Sequence, residues 1–130
     1  MIHDLKILSD FFVAVLIGEK TFEVRKDDRP FDVGDILKLH EINCGVLTGR
    51  EIDVEVTYIL RDPAYVKDGY CILGIQRYGK WEEISEYNGW GDTHYRCSVC
   101  GEEWYLEAGK PKENNMNFCP RCSARLDGDN

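Results

Sequence analysis

No stretch of this chain is long and apolar enough to span a bilayer: the longest such run, 11–17, falls far short of the roughly 20 residues required. The opening residues Met1-Ile2-His3-Asp4-Leu5-Lys6 also lack the charged-then-apolar layout of a secretory signal. The expectation is a cytoplasmic protein with no membrane contact, in which thiols stay reduced and paired cysteines bind metal more often than they cross-link. A basic stripe is missing too. The net charge is −8, and residues 1–78 and 79–130 each sum to −4, so a sequence-independent grip on nucleic acid is excluded. Any nucleic-acid contact has to be local and pocket-like. Internal repeats, low-complexity tracts and coiled-coil heptads are absent as well.

Six cysteines are present, and four of them form two pairs: Cys97-Ser98-Val99-Cys100 and Cys119-Pro120-Arg121-Cys122. The spacing C-x2-C-x18-C-x2-C lies in the range of a four-cysteine zinc site. Two residues between cysteines let one tight turn aim both sulfurs at one ion, so each pair supplies half a tetrahedron. The competing readings are a redox CxxC and two disulfides, but no thioredoxin-like βαβ pattern accompanies the pairs. One structural Zn²⁺ per chain is expected, closed to water and substrate because thiolates take all four positions. His94 reads as a solvated histidine beside the site.

The remaining 130-residue sequence reads as mainly β with one or two short helices. Residues 2–8 form a short strand. Ser9 is placed to cap a helix whose apolar positions Phe12, Val15 and Leu16 follow helical spacing, and Gly18 suits its left-handed end. At 21–25, Phe22 and Val24 alternate with Thr21, Glu23 and Arg25, the pattern of a half-buried strand with an unusually rich polar face. Asp27-Asp28-Arg29-Pro30 and Val33-Gly34-Asp35 are turns. Further strands are expected at 36–42, 51–61 and 70–76, with Ile52, Val54, Val56, Tyr58 and Leu60 sharing one face. Five short strands have to hide their edges, which argues for a closed or nearly closed barrel. A turn of helix is expected at 81–87 and a strand at 103–106. The division that follows is a barrel at 1–78, an aromatic-rich linker at 79–95, a zinc ribbon at 96–126 and a disordered tail at 127–130.

Gly18-Glu19-Lys20-Thr21-Phe22-Glu23-Val24-Arg25 has the form G-x-K-x-x-E-x-R directly after a helix. This resembles the signature of ASCH domains in the PUA-like superfamily. The likeness continues through Phe31-Asp32-Val33-Gly34-Asp35-Ile36-Leu37, Thr48-Gly49-Arg50-Glu51, Val56-Thr57-Tyr58-Ile59-Leu60 and Asp68-Gly69-Tyr70-Cys71-Ile72-Leu73-Gly74, which look like a small prokaryotic and phage subfamily, and it covers about residues 2–77. The resemblance implies a PUA-like barrel with a cleft beside the signature that binds RNA or a modified nucleoside.

Lys20, Thr21, Glu23 and Arg25 are the expected ligand contacts, and Arg29 is a further candidate that alternatively pairs with Asp27 or Asp28. Tyr65, Tyr78 and Trp81 are candidate stacking platforms. Some ASCH-like proteins hydrolyse an acetylated cytidine with a lysine, a threonine three residues later and a distant glutamate. Here the third residue after Lys20 is Glu23, so an enzyme of this chain, whether amidohydrolase or ribonuclease, would have to work with Lys20, Glu23 and the neighbouring Thr21. His40 reads as packed or surface rather than catalytic. A third reading makes the ribbon an adaptor for a protein partner, to which an acidic surface suits a basic one. Oligomeric state is left open.

Overall fold

The computed structural model describes residues 1–84, 93–107 and 109–126, and the chain divides into two compact units, 1–77 and 78–130. The first unit contains β1 (Ile2–Leu8), α1 (Ser9–Leu16), β2 (Phe22–Lys26), β3 (Ile36–Asn43), β4 (Val46–Leu60) and most of β5 (Tyr70–Gly79). The sheet runs β1-β3-β4-β5-β2 and curls into a half-barrel. β1 pairs β3 in parallel and the other pairs are antiparallel. The two ends of this path, β1 and β2, are edge strands among the described residues, so the sheet stays open along one side. Its core is the inward row Leu37, Leu39, Val54, Val56 and Leu73, sealed from water, with Phe12 and Val15 of α1 packed against it.

Several local expectations hold. Gly18 stands at φ 83° after the helix, and a side chain there would collide with the Arg77 guanidinium at about 3.0 Å. That guanidinium donates to the Leu16 carbonyl, one of the carbonyls a helix end leaves unpaired. Gly34 takes φ 95° in the turn before β3. Ser9 differs from the expectation. It is the first helical residue rather than the cap, no side chain caps the helix, and its hydroxyl donates to Glu41 instead.

Three strands depart from the pattern read in the sequence. β2 is inverted: Glu23 is 4% exposed, whereas Phe22 and Val24 are 47% and 54% exposed. β4 starts at Val46, because Cys44 and Gly45, at φ 51° and 77°, make a two-residue hairpin turn to β3. Cys-Gly carries no strong turn signal, so this hairpin is silent in the sequence. Within β4 the pairing register with β5 shifts between Val56 and Tyr58, which turns Tyr58 outward at 65% exposed and brings Ile59 against the core. One extra residue flips every later side chain.

The second unit holds an antiparallel sheet β6-β7-β8 of Trp81–Ile84, Thr93–Cys97 and Glu103–Leu106. β9 (Arg125–Leu126) pairs with Tyr78 and Gly79, the last residues of β5. A short 3₁₀ turn covers Lys112–Asn114. Trp81 is therefore in a strand, not a turn of helix, because pairing with Cys97 buries its ring and lets its indole N–H donate to the Met116 carbonyl at 2.9 Å. That also removes it as a stacking platform. Strand is likewise found at Trp81–Ile84 and from Thr93, where a linker is expected. The remainder of that segment, 85–92, and the expected tail at 127–130 lie outside the described residues.

Glu41, 2% exposed at an irregularity in the β3–β4 pairing, is the most fully satisfied buried charge of the half-barrel. Arg50 donates to both its oxygens at 2.8 and 2.7 Å, Thr48 to one and Ser9 to the other. Arg50 and then Thr48 hold its carboxyl down at about 2 against the opposing effect of burial. An unfolded glutamate titrates near 4.3, so this group stabilises the fold in full above that pH and the contribution fades as pH falls towards 2. In urea titrations at a series of pH values, Glu41→Gln is expected to lower the midpoint at pH 7 and to flatten its decline between pH 5 and 2.

Candidate ligand groove and candidate metal centre

Glu23 is the hinge of the first site. Its side chain lies inside the sheet, and each oxygen meets a cation: Lys20 donates to Oε1 at 2.5 Å, and Arg25 donates to Oε2 through Nε at 3.0 Å and Nη2 at 2.9 Å. Lys20 also donates to the Phe22 carbonyl and sits over the rings of Phe11 and Phe22, at 5.6 and 4.9 Å from their centres. Lys20 and Arg25 are themselves mostly covered, at 16% and 20% exposed. A carboxylate so enclosed is locked, with both oxygens committed to cations.

Arg25 connects this set to a groove of about 400 Å³ between the free edges of β1 and β2. Asp4 and Lys6 line it from β1, Arg25 and Lys26 from β2, and Asp28, Arg29 and Phe31 from the turn that follows β2. Arg29 reaches across to the Asp4 carbonyl at 3.5 Å and stands 3.9 Å from Asp28. The groove thus carries four cationic groups against two carboxylates in a chain whose net charge is −8.

Of the five ligand contacts expected from sequence, Arg25 and Arg29 line the groove, while Lys20 and Glu23 meet it through Arg25. Thr21 is exposed just before β2 and outside the ion set, with its carbonyl accepting from the Ile75 N–H. Lys6, Lys26 and Phe31 carry no motif. They join the groove only because β1 and β2 end the sheet. His40 is a surface histidine held between Asp4 at 2.9 Å and Glu51 at 3.2 Å. Near the groove, Asp35 pairs with the buried His3 at 2.8 Å and accepts from the Asp32 N–H. Burial raises the Asp35 pKa, but these hydrogen bonds outweigh it and hold the carboxyl below its ordinary value.

The second site is the cluster Cys97, Cys100, Cys119 and Cys122, whose four sulfurs lie within 4.8 Å of one another and can hold a metal ion. Backbone N–H groups of Val99, Glu102 and Cys122 point at the sulfurs of Cys97, Cys100 and Cys119 at 3.4 to 3.5 Å. Burial pushes the Cys97 thiol up to about 12. Burial acts the same way on Cys119, but the N–H groups of Cys122 and Arg121 and a hydrogen bond from Cys100 outweigh it and bring that thiol down. His94 is buried rather than solvated, and stacks on Tyr105 at 4.0 Å.

Together these features define a mainly β protein in which a curled half-barrel with an open, partly cationic edge is followed by a four-cysteine unit able to hold a metal. No helix among the described residues is long and apolar enough to cross a membrane. The chain belongs to the family described as "Domain of unknown function (DUF3850)", which matches residues 2–75. Over 72 residues it is 45% identical to the "Uncharacterized 12.9 kDa protein in GpA 3'region" of Escherichia phage P2, a match covering 55% of this chain and 65% of that protein. The family match contains the Lys20–Glu23–Arg25 set and the groove, and the four cysteines lie beyond it.

Removing Glu23 leaves Lys20 and Arg25 facing each other without a counter-charge. Glu23→Ala is expected to cost about 3 kcal/mol in urea denaturation, the low end for breaking a buried ion pair, because both cations retain some contact with water. Thr21→Ala, outside the set, is expected to change stability by less than about 0.5 kcal/mol.

Proposed function

We propose that the half-barrel is a binding module for RNA or a modified nucleoside, seated in the groove between β1 and β2. The observation that carries this reading is the concentration of Lys6, Arg25, Lys26 and Arg29 around one concavity in an acidic chain. Its volume of about 400 Å³ is within the range of small-ligand sites. Two strand edges border it, and their free N–H and C=O groups offer a base edge the hydrogen bonds that a sheet interior has already used. Arg25 and Arg29 suit a phosphate, since a guanidinium fork matches its oxygens. Lys20 and Glu23 are positioning residues that hold Arg25 at the groove wall. The resemblance of the segment 18–25 to the ASCH signature supports the same ligand class. Because both Glu23 oxygens are engaged and Thr21 stands apart, the arrangement favours binding over hydrolysis.

For the four-cysteine unit we propose a structural Zn²⁺. Sulfurs on a tetrahedron around zinc, with bonds near 2.3 Å, stand about 3.8 Å apart. The Cys97–Cys122 and Cys100–Cys119 sulfur separations of 3.7 and 3.6 Å fit that edge. The ion would supply folding free energy to a unit whose own core is small, and four thiolates leave no coordination position for water.

Two measurements test these readings. In calorimetric titrations with a nucleoside monophosphate and a short single-stranded RNA, Arg25→Ala and Arg29→Ala are each expected to weaken binding about tenfold. Each should also reduce the salt slope for RNA by about 0.7 for every phosphate that the missing guanidinium no longer neutralises. Unchanged affinity in both variants rejects the groove. Metal analysis of the purified protein is expected to find about one Zn²⁺ per chain, released by a chelator together with the dispersed NMR signals of residues 93–107. Metal-free protein with a folded second unit rejects the zinc reading.

A further inference from the structure

The face of the half-barrel turned away from its core has a feature that the groove does not use. Phe22 on β2, Gly74 on β5 and Tyr58 on β4 form one cross-strand row, since Gly74 is the register partner of both. The two aromatic side chains are 47% and 65% exposed, and the residue between them has no side chain.

Gly74 is not there for its backbone, because it is absent from the glycines with positive φ. A Cβ at this position would meet the Thr57 hydroxyl at 3.1 Å and the Tyr58 Cβ at 3.4 Å, tight contacts that a shift of a few tenths of an ångström relieves. Gly79, by contrast, is dictated by its surroundings: a Cβ there would run into the Ser98 hydroxyl and the Val99 side chain. A glycine inside a strand weakens it, and often marks close approach by a ligand.

The dimensions fit a planar ring. Neighbouring strands lie about 4.8 Å apart, so Phe22 and Tyr58, two strands apart, rise from the sheet roughly 9.6 Å from one another. Two offset stacking contacts, each with ring centres from about 4.5 Å apart, need about 9 Å. Gly74 is the floor of this slot and Thr57 puts a hydroxyl at its edge. The Lys20 ammonium, 4.9 Å over the Phe22 ring, places a cation beside it.

We propose that this slot is a second nucleic-acid contact, which stacks one unpaired base of single-stranded RNA between Phe22 and Tyr58 over Gly74. A base is favoured over a protein side chain because the slot is one ring wide and flat-walled, with a hydroxyl at its edge and a cation at its rim. The inference rests on the nucleic-acid reading of the half-barrel, and its test separates the two. The bulge at Thr57 and the inversion of β2 are what bring both rings to this face.

The test is an NMR titration of the full chain with single-stranded oligoadenylate, with inorganic phosphate as the control. The expected result is that oligoadenylate, and not phosphate, shifts the amide signals of Gly74 and Tyr58 and the ring signals of Phe22 and Tyr58. Phe22→Ala and Tyr58→Ala should each weaken affinity about tenfold, as for loss of one stacked base, with Tyr58→Trp restoring it. Both side chains are exposed, so the folded spectrum should persist in these variants. Gly74→Val should fill the slot and abolish the ring shifts, while Arg29→Ala weakens binding but leaves the shifts at Gly74 in place. Shifts confined to the groove, or affinity unchanged in Phe22→Ala and Tyr58→Ala, overturn the slot and leave the groove standing. Absence of any shift overturns both. Self-association that Tyr58→Ala abolishes makes this face a protein interface and overturns the slot.

Discussion

A carboxylate enclosed by a sheet has to be neutralised where it stands, and Glu23 sets the terms for the half-barrel. With 4% of its surface exposed, it is tolerable only because Lys20 reaches one oxygen and Arg25 the other. Meeting that requirement decides which way β2 faces. Once Glu23 points inward, the alternation of a strand turns Phe22 and Val24 outward and leaves Arg25 at the wall of the groove. The placement of the cation in the groove and of the aromatic ring on the outer face thus share one cause.

Glu41 solves the same problem at another place. Arg50, Thr48 and Ser9 converge on it from β4 and α1, tying the hairpin and the helix to β3. It is closed to ligands because every donor is turned onto one carboxylate. The groove differs because its cations outnumber its carboxylates and face an opening between two strand edges that have no partner within the sheet among the described residues. Excess charge at an opening is available for binding, and matched charge in the interior contributes to holding the fold. The four-cysteine unit follows the interior rule: its sulfurs converge on one point, with backbone N–H groups turned toward them.

Much of this was legible in the sequence. The strand count, the short helix with its glycine terminus, the turn at Gly34 and the four-cysteine spacing are local properties, and each left a local signal. The errors have physical reasons. Phe22 and Val24 read as a buried face because apolar residues normally go inward, but the Lys20–Glu23–Arg25 set took the interior. Tyr58 and Leu60 read as continuing the row of Val54 and Val56, because a single bulged residue leaves no mark on composition. Trp81 read as helical, and it became a strand when Cys97 paired with it.

What the sequence determined by itself was therefore short-range: element types, turn positions and the spacing that brings four thiols to one ion. Only the tertiary structure decided which strands would be edges and which face of β2 would be wet. Lys6 and Lys26 are ordinary surface lysines until β1 and β2 end the same curled sheet, and Gly74 is an ordinary strand residue until two rings flank it. Edges and faces arise from pairing between strands distant in the chain, and a one-residue change of register exchanges them, so local pattern cannot contain them.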